Sequence, residues 1–321
     1  MKHILTVSHV QKRFGTKEVL KDVNFEVPEH TIFGFVGKNG AGKTTTMKMI
    51  LGLLPIDEGQ ILVNGEAVSY GNTRTNRFVG YLPDVPEFYP YMTPMEYLHF
   101  CGEIVGLSKE EIQNRSKHLL QLVGLGEEKR RIKGFSRGMK QRLGLAQALL
   151  GKPKLLICDE PTSALDPIGR KELLDMLVAA KKETTILFST HILSDVEHIC
   201  DEVAFLNEGK IVRSGTLHEI KEMHHSPAME IELEYKEDVR WMLASFPFLK
   251  ENSQDNSIHS KEHLGGKYED KHDGKFCLVL ENQEKMPEVL RYIADQKISI
   301  LRIERVEPTL EDLFIEAVAR R

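Results

Sequence analysis

No apolar run in the 321-residue sequence approaches the ~18–20 residues that a membrane-spanning helix needs; the longest candidates, such as Met49–Leu54, are far shorter. Cysteine is scarce. Cys101, Cys158, Cys200 and Cys277 are separated by 57, 42 and 77 residues and form no C-x-x-C pair. That spacing argues against a disulfide framework or a cysteine zinc site and for core thiols in a reducing compartment. The opening MKHILTVSHVQKRFG has no apolar stretch of the kind that drives secretion, so no secretory signal is expected. An excess of basic charge is also missing: 43 Lys+Arg stand against 48 Asp+Glu. The first 220 residues hold 28 basic against 27 acidic groups and the last 101 hold 15 against 21, so neither part suits general binding to a phosphate backbone. There is no long internal repeat and no sustained heptad stretch. What is present, 41% hydrophobic and 28% charged residues, suits a soluble globular chain of about two domains with a large core.

Residues 4–36 read as strands, with Thr31–Val36 a short apolar run rich in β-branched residues. Met47, Ile50, Leu51 and Leu54 sit at helical spacing, and Pro55 is expected to end that helix. Ile61–Val63 followed by Asn64-Gly65 suggests a strand and tight turn. Phe78–Leu82, Leu155–Cys158 and Thr185–Ser189 read as further strands, residues 94–130 as helical, and Val203–Leu206 with Lys210–Arg213 as a hairpin. Helices alternating with buried strands predict an α/β layer fold with a mainly parallel sheet. The texture changes near residue 220. Alternation over Met229–Tyr235 predicts a strand, 237–246 a short helix, 251–275 a polar loop or hairpin, Phe276–Leu280 a strand, 284–296 a helix, Ile298–Val306 a strand and 309–320 a helix. The expected division is therefore 1–220 and a small α/β accessory domain at 221–321, for which a ferredoxin-like arrangement is one candidate.

Two motifs carry chemistry. Thr31–Val36 runs into Gly37-Lys38-Asn39-Gly40-Ala41-Gly42-Lys43-Thr44, which fits G-x-x-x-x-G-K-[ST]. Glycines let the backbone curl with its N–H groups pointing inward around phosphates, and the following helix points its positive end at the same anion. Lys43 supplies charge for the β- and γ-phosphates and Thr44 a hydroxyl for Mg²⁺, with Thr45 beside it among the nucleotide contacts. A flexible glycine loop is the bland alternative. The second motif is Asp159-Glu160 at the end of the apolar strand Leu155–Cys158. Unpaired acids at a buried strand end are costly, and a Mg²⁺ ion removes that cost. Asp159 is placed to hold the Mg²⁺ shell and Glu160 to act as general base toward an attacking water. A solvated turn before Pro161 is the alternative there.

Between these motifs lies Phe135-Ser136-Arg137-Gly138-Met139-Lys140-Gln141-Arg142, and after them Pro161-Thr162-Ser163-Ala164-Leu165-Asp166 and Ser189-Thr190-His191. In this order the segments resemble the signature, D-loop and switch histidine of ATP-binding-cassette ATPases. The Ser-x-Gly-Met-Lys-Gln-Arg form and the ending Val306-Glu307-Pro308-Thr309-Leu310-Glu311-Asp312-Leu313-Phe314 resemble the drug-, bacitracin- and sodium-export branch. The resemblance implies a P-loop NTPase cassette with a helical signature subdomain and an antiparallel β subdomain. It also implies a head-to-tail pair of cassettes around two ATP molecules. In that arrangement Ser136 and Gly138, at a helix start that is itself an anion site, and Asp166 meet nucleotide across the interface. Phe14 stacks on adenine and His191 contacts the γ-phosphate. Two positions depart from the commoner pattern. Asp84, in Tyr81-Leu82-Pro83-Asp84, stands where a glutamine usually reaches Mg²⁺ and water, and an ionised acid accepts hydrogen bonds but cannot donate them. In the signature, Arg137 and Met139 replace glycine and glutamine.

The expected activity is ATP hydrolysis by the energising subunit of a membrane exporter. It would lie on the cytoplasmic face of the membrane, paired with a second cassette (a homodimer being expected) and a separate permease, with ATP and Mg²⁺ as cofactors and no nucleic acid bound. The competing expectation is a soluble cassette ATPase acting on nucleic acid or ribosomes.

Overall fold

The alternating residues at the start build two long antiparallel strands, β1 (His3–Phe14) and β2 (Lys17–Pro28). The computed structural model describes residues 2–72, 74–222, 228–251, 276–280, 283–306 and 309–319. Every residue of β3 (Ile32–Val36) is buried, as a continuous apolar run requires inside a covered parallel sheet. The helix after it, α1 (Lys43–Ile50), is shorter than the spacing through Leu54 predicts, because Gly52 takes φ +68 and breaks it before Pro55. β4 (Glu58–Val63) and β5 (Glu66–Ala67) flank Asn64-Gly65, both at positive φ as a tight hairpin turn needs. β6 (Val79–Leu82) follows. The predicted helical stretch 94–130 is two helices, α2 (Pro94–Val105) and α3 (Lys109–Leu122), divided at Gly106 and each opened by a capping box, Thr93 with Glu96 and Ser108 with Glu111. Then come α4 (Arg137–Leu149), β7 (Leu155–Asp159), α5 (Pro167–Ala180), β8 (Thr185–Thr190), α6 (Leu193–Ile199), β9 (Glu202–Asn207), β10 (Lys210–Thr216) and α7 (Leu217–Glu222).

A six-stranded sheet runs in the order β10-β9-β3-β8-β7-β6, with all neighbours parallel except the β9–β10 hairpin at one edge. A four-stranded sheet, β2-β1-β4-β5, is antiparallel. A core containing Phe25, Phe33, Phe35, Met47, Ile61 and Leu187 joins the two sheets around α1, and the Phe25 ring lies 5.0 Å from that of Phe35. Register matters most for function. Val36 lies beside Thr190, Asp159 beside Ser189 and Leu82 beside Cys158. The carboxyl ends of β3, β8, β7 and β6 thus end together, which is where open α/β sheets bind ligands.

The second part of the chain contains β11 (Ala228–Leu233), α8 (Lys236–Ser245), β12 (Lys250–Glu251), β13 (Phe276–Leu280), α9 (Met286–Gln296), β14 (Ile300–Val306) and α10 (Leu310–Ala319). Its sheet runs β12-β13-β11-β14, antiparallel throughout. With β-α-β-β-α-β connectivity this is the ferredoxin-like arrangement. Its core holds Ile231, Leu233, Met242, Leu278, Val289 and Ile293. Of the loop predicted at 251–275, residues 252–275 lie outside the described residues, as do Glu307 and Pro308, while Glu251 belongs to β12. Contacts divide the chain into a unit of Met1–Ile220 with Phe314–Arg321 and a unit of Lys221–Leu313. Phe314 groups with the first unit because its ring packs edge-on against Phe205 of β9, 5.3 Å between centroids.

Gly80 shows how tightly β6 is seated: a Cβ there would lie 2.2 Å from the Ala148 carbonyl oxygen of α4. We expect Gly80→Ala to cost about 1–3 kcal/mol, as overpacking does, seen as a lower denaturant midpoint. Gly134→Ala, with open space at its Cβ, should leave the midpoint nearly unchanged. Equal midpoints for both variants would contradict the close seating of β6.

Candidate nucleotide site

The loop between β3 and α1 depends on glycine at two positions. A Cβ on Gly37 would lie 2.4 Å from the Leu206 carbonyl oxygen, and Gly42 combines φ +116 with a Cβ position 2.5 Å from Leu20 Cδ2. The Gly37 N–H donates to the Thr190 carbonyl at 3.3 Å, which fastens the loop to the end of β8. Lys43, first residue of α1, is only 4% exposed. Its Nζ donates to the Gly37 carbonyl at 2.6 Å and the Lys38 carbonyl at 3.2 Å, and pairs with Glu160 Oε1 at 3.1 Å.

The two acids have different surroundings although they are adjacent. Asp159, the last residue of β7, is buried and its Oδ1 accepts from the Ser189 hydroxyl at 3.0 Å. Burial pushes its carboxyl above the usual range; hydrogen bonds from Thr44 and Ser189 oppose that, the Glu160 charge adds to it, and Lys43 opposes it. Glu160 sits at φ +48, a sparsely populated conformation for a residue with a Cβ. That turn is held by its N–H donating to the Ser189 carbonyl at 3.0 Å. Its side chain is gripped from both sides, by Lys43 on Oε1 and by His191 Nδ1 at 2.8 Å from Oε2.

Asp84, two residues beyond β6, completes the acidic group. It lines a cleft of about 510 Å³ together with Asn39, Gly40, Lys43, Thr44, Asp159 and Glu160. The Tyr81 phenol is pushed up to about 12, first by burial and then by the charges of Asp159 and Asp84. Asp84 Oδ1 accepts from the Ser163 hydroxyl at 2.7 Å and from Arg137 at 3.5 Å. Thr45 lines the same cleft, whereas Gly37, Lys38 and Ala41 form the loop behind it, with the Ala41 N–H closing onto the Lys38 carbonyl at 3.1 Å.

Four of the sequence-predicted residues are not brought to this cleft within one chain. Phe14, at the end of β1, is 47% exposed and has the Lys12 ammonium 5.4 Å from its ring centroid; Lys17 and Val19 of the next strand line the cleft instead. Ser136 caps α4 by accepting the Met139 N–H at 3.2 Å, and Gly138 follows it in the first turn. Asp166 caps α5 by accepting the Gly169 N–H at 3.3 Å. Ser136 and Asp166 are exposed.

Several residues support the cleft through contacts that the sequence did not indicate. Gln141 is buried on α4, and its Nε2 donates to the carbonyls of Asp84 at 2.8 Å and Pro161 at 3.1 Å. Asp195, 2% exposed, accepts from the Thr162 hydroxyl at 2.7 Å and pairs with Arg170, tying the segment after Glu160 to the segment after His191. Ser189 alone could have been suspected, as a polar residue ending an apolar strand.

The donor set suits a hard divalent cation. The Thr44 hydroxyl and the Asp159 carboxylate both line the cleft beside the phosphate loop, which offers two oxygen ligands there. Among the described residues, no group of three or more His, Cys, Asp or Glu side chains is placed to hold a metal ion by itself.

A sequence profile described as "ABC transporter" matches residues 20–163, and one described as "ATP-binding protein DrrA1-3-like, C-terminal domain" matches residues 215–318. The chain is 38% identical over 316 residues to YxlF of Bacillus subtilis (strain 168), an ABC transporter ATP-binding protein, covering 98% of this chain and 99% of that protein. It is 34% identical over 323 residues to the bacitracin transport ATP-binding protein BcrA of Bacillus licheniformis, covering 99% and 98%. A solved ATP-binding subunit of an ABC transporter superposes with a TM-score of 0.62 at 35% identity, covering 68% of this chain and 92% of that one.

The raised Asp159 carboxyl has a consequence for stability. An acid whose folded value lies above its unfolded value of 3.8 makes the folded state less stable at every pH above the folded value, and that loss disappears as pH falls through it toward 3.8. Asp159→Asn should therefore raise the thermal midpoint at pH 7 without nucleotide. The difference from the parent should shrink on acidification. A lower midpoint for the variant at pH 7 would contradict this electrostatic reading.

Proposed function

The chain belongs to the ATP-binding-cassette transporter ATPases, and from that premise we propose how its residues divide the work of a transport-coupled ATPase. It is the ATP-binding and ATP-hydrolysing subunit of a membrane transporter; the alternative of a cassette acting on nucleic acid or ribosomes finds no support in the matched family or in the charge balance. No helix among the described residues is long and apolar enough to cross a membrane, which fits a subunit that works against a separate permease at the cytoplasmic face. The bacitracin-transport relative favours the export branch.

The observation that carries the mechanism is Glu160 held between Lys43 and His191 at the rim of the phosphate loop. The loop N–H groups at Asn39, Gly40 and Gly42 and those of Lys43 to Thr45 at the start of α1 receive the β- and γ-phosphates, with the Lys43 ammonium moving from the loop carbonyls onto phosphate oxygen. Glu160 accepts the proton of the attacking water, and His191 orients that carboxylate and contacts the γ-phosphate. Thr44 and Asp159 would hold Mg²⁺, with Asp84 near it on the same cleft. When bound, the ion supplies positive charge opposite the phosphoryl oxygens. Phe14 stacks on the base. Ser136 and Asp166, which cap helices away from their own cleft, and Gly138 in the turn after Ser136 serve the nucleotide of a second cassette. ATP then holds two copies together and hydrolysis releases them. Residues 1–220 form the ATP-binding domain and the ferredoxin-like part an accessory domain.

Glu160→Gln should lower phosphate release by about 10²–10⁴-fold, the usual contribution of a general base, while a fluorescent ATP analogue still binds. Turnover near the parent's would remove Glu160 from the base role. In that slow background, adding Ser136→Arg should preserve nucleotide binding but abolish ATP-dependent pairing in light scattering. Pairing at parental nucleotide concentrations would sink the trans role of Ser136.

A further inference from the structure

We propose that Arg137 is a positioning residue for the nucleotide cleft: from the head of α4 it holds the Asp84 carboxylate of its own chain at the cleft rim. The inference deepens the reading above and rests on it. Arg137 and Gln141 are one helical turn apart and so share a face of α4. Gln141 grips the backbone of Asp84 by its carbonyl at 2.8 Å, and Arg137 reaches the side chain of the same residue, Nη2 to Oδ1 at 3.5 Å. The second carbonyl on Gln141 belongs to Pro161, directly after Glu160, and the second donor on Asp84 Oδ1 is the Ser163 hydroxyl at 2.7 Å. One helix face thus fastens the Asp84 loop to the segment that follows the acid pair.

Both donors use Oδ1. No hydrogen bond to Oδ2 is found among the described residues, so the second oxygen is the one available to the cleft that Asp84 lines with Lys43, Thr44, Asp159 and Glu160. Three carboxylates around one cleft create a strongly negative field. Lys43 offsets it from the back and Arg137 from the rim. Both partners of the Arg137–Asp84 pair are about half exposed, 50% and 48%, and pairs of that kind add little to folding stability. The effect of Arg137 is therefore on the orientation of the Asp84 carboxylate that a divalent cation meets. The backbone of Arg137 belongs to the first turn of a helix that is buried from Gln141 to Leu149, a firmer base than a loop.

The test measures the Mg²⁺ concentration that half-saturates binding of a fluorescent ATP analogue to the full chain, in the Glu160→Gln background so that hydrolysis does not intervene. Asp84→Asn should raise that midpoint several-fold. Arg137→Ala should raise it about three-fold by releasing the Asp84 carboxylate from its place at the rim, and this shift should vanish when Asp84→Asn is also present. Arg137→Gln, which keeps much of the stem but loses the charge, should shift the midpoint in the same direction and serves as the second variant if the alanine form fails to fold. An Arg137→Ala shift of the same size with and without Asp84, or no shift in either Arg137 variant, would overturn the inference while leaving the nucleotide site intact. Absence of any Mg²⁺-dependent binding in the parent would overturn the nucleotide reading itself, and this inference with it.

Discussion

A lysine ammonium that is 4% exposed must be compensated, because an unpaired buried charge is too costly for a marginally stable chain. Lys43 meets this need with two loop carbonyls and the Glu160 carboxylate. The compensation is possible only if the loop after β3 and the end of β7 lie close together, although 117 residues separate Lys43 from Glu160. The parallel register through β8 provides that closeness: Val36 beside Thr190, and Ser189 beside Asp159. Gly37 and Glu160 both donate their N–H groups to carbonyls at the end of β8, Thr190 and Ser189. The middle strand therefore works as a ruler against which the phosphate loop and the acid pair are both set. His191 directly follows the same strand, which is why the imidazole reaches Glu160.

The parts that were legible in the sequence are those whose chemistry is local. A glycine loop between an apolar strand and a helix, and two acids ending a strand, each declare their role within a few residues. The hairpin at Asn64-Gly65 was equally plain, because positive φ at both turn positions demands such residues. The contacts between these pieces were not legible. Nothing near Gln141 marks it as the donor to two loop carbonyls, since on α4 it falls among buried apolar positions. Thr162, Arg170 and Asp195 come from three segments and meet only in the folded chain. Helix ends were misjudged where apolar spacing continued past a glycine at positive φ, at Gly52 after α1 and at Gly106 between α2 and α3. Periodicity reports which face is buried and is blind to where the backbone turns left-handed.

The loops around the cleft are held by more than their own backbone. The residues after Glu160 are fixed at three successive points: Pro161 by Gln141, Thr162 by Asp195 and Ser163 by Asp84. Each partner belongs to a different element, so a shift of α4, of the Asp84 loop or of α6 is transmitted to the segment that carries the base. Such a segment responds to changes on several sides without having to unfold, which suits a site whose occupancy must alter contacts elsewhere.

These features carry a common cost. Asp159 is buried against its own charge, Glu160 holds a left-handed backbone conformation, and Asp84 adds a third carboxylate to the same rim. A chain selected only for stability would place neutral residues here. Their retention in an otherwise apolar strand-end environment is understandable if a cation and a polyanion together are the proper complement of the cleft: phosphate satisfies Lys43 and the loop N–H groups, and a divalent ion satisfies the acids. Each ligand relieves a charge excess that the other would leave behind. Binding of the two is therefore expected to be mutually reinforcing, by the same linkage that makes the site destabilising when only protein groups face one another.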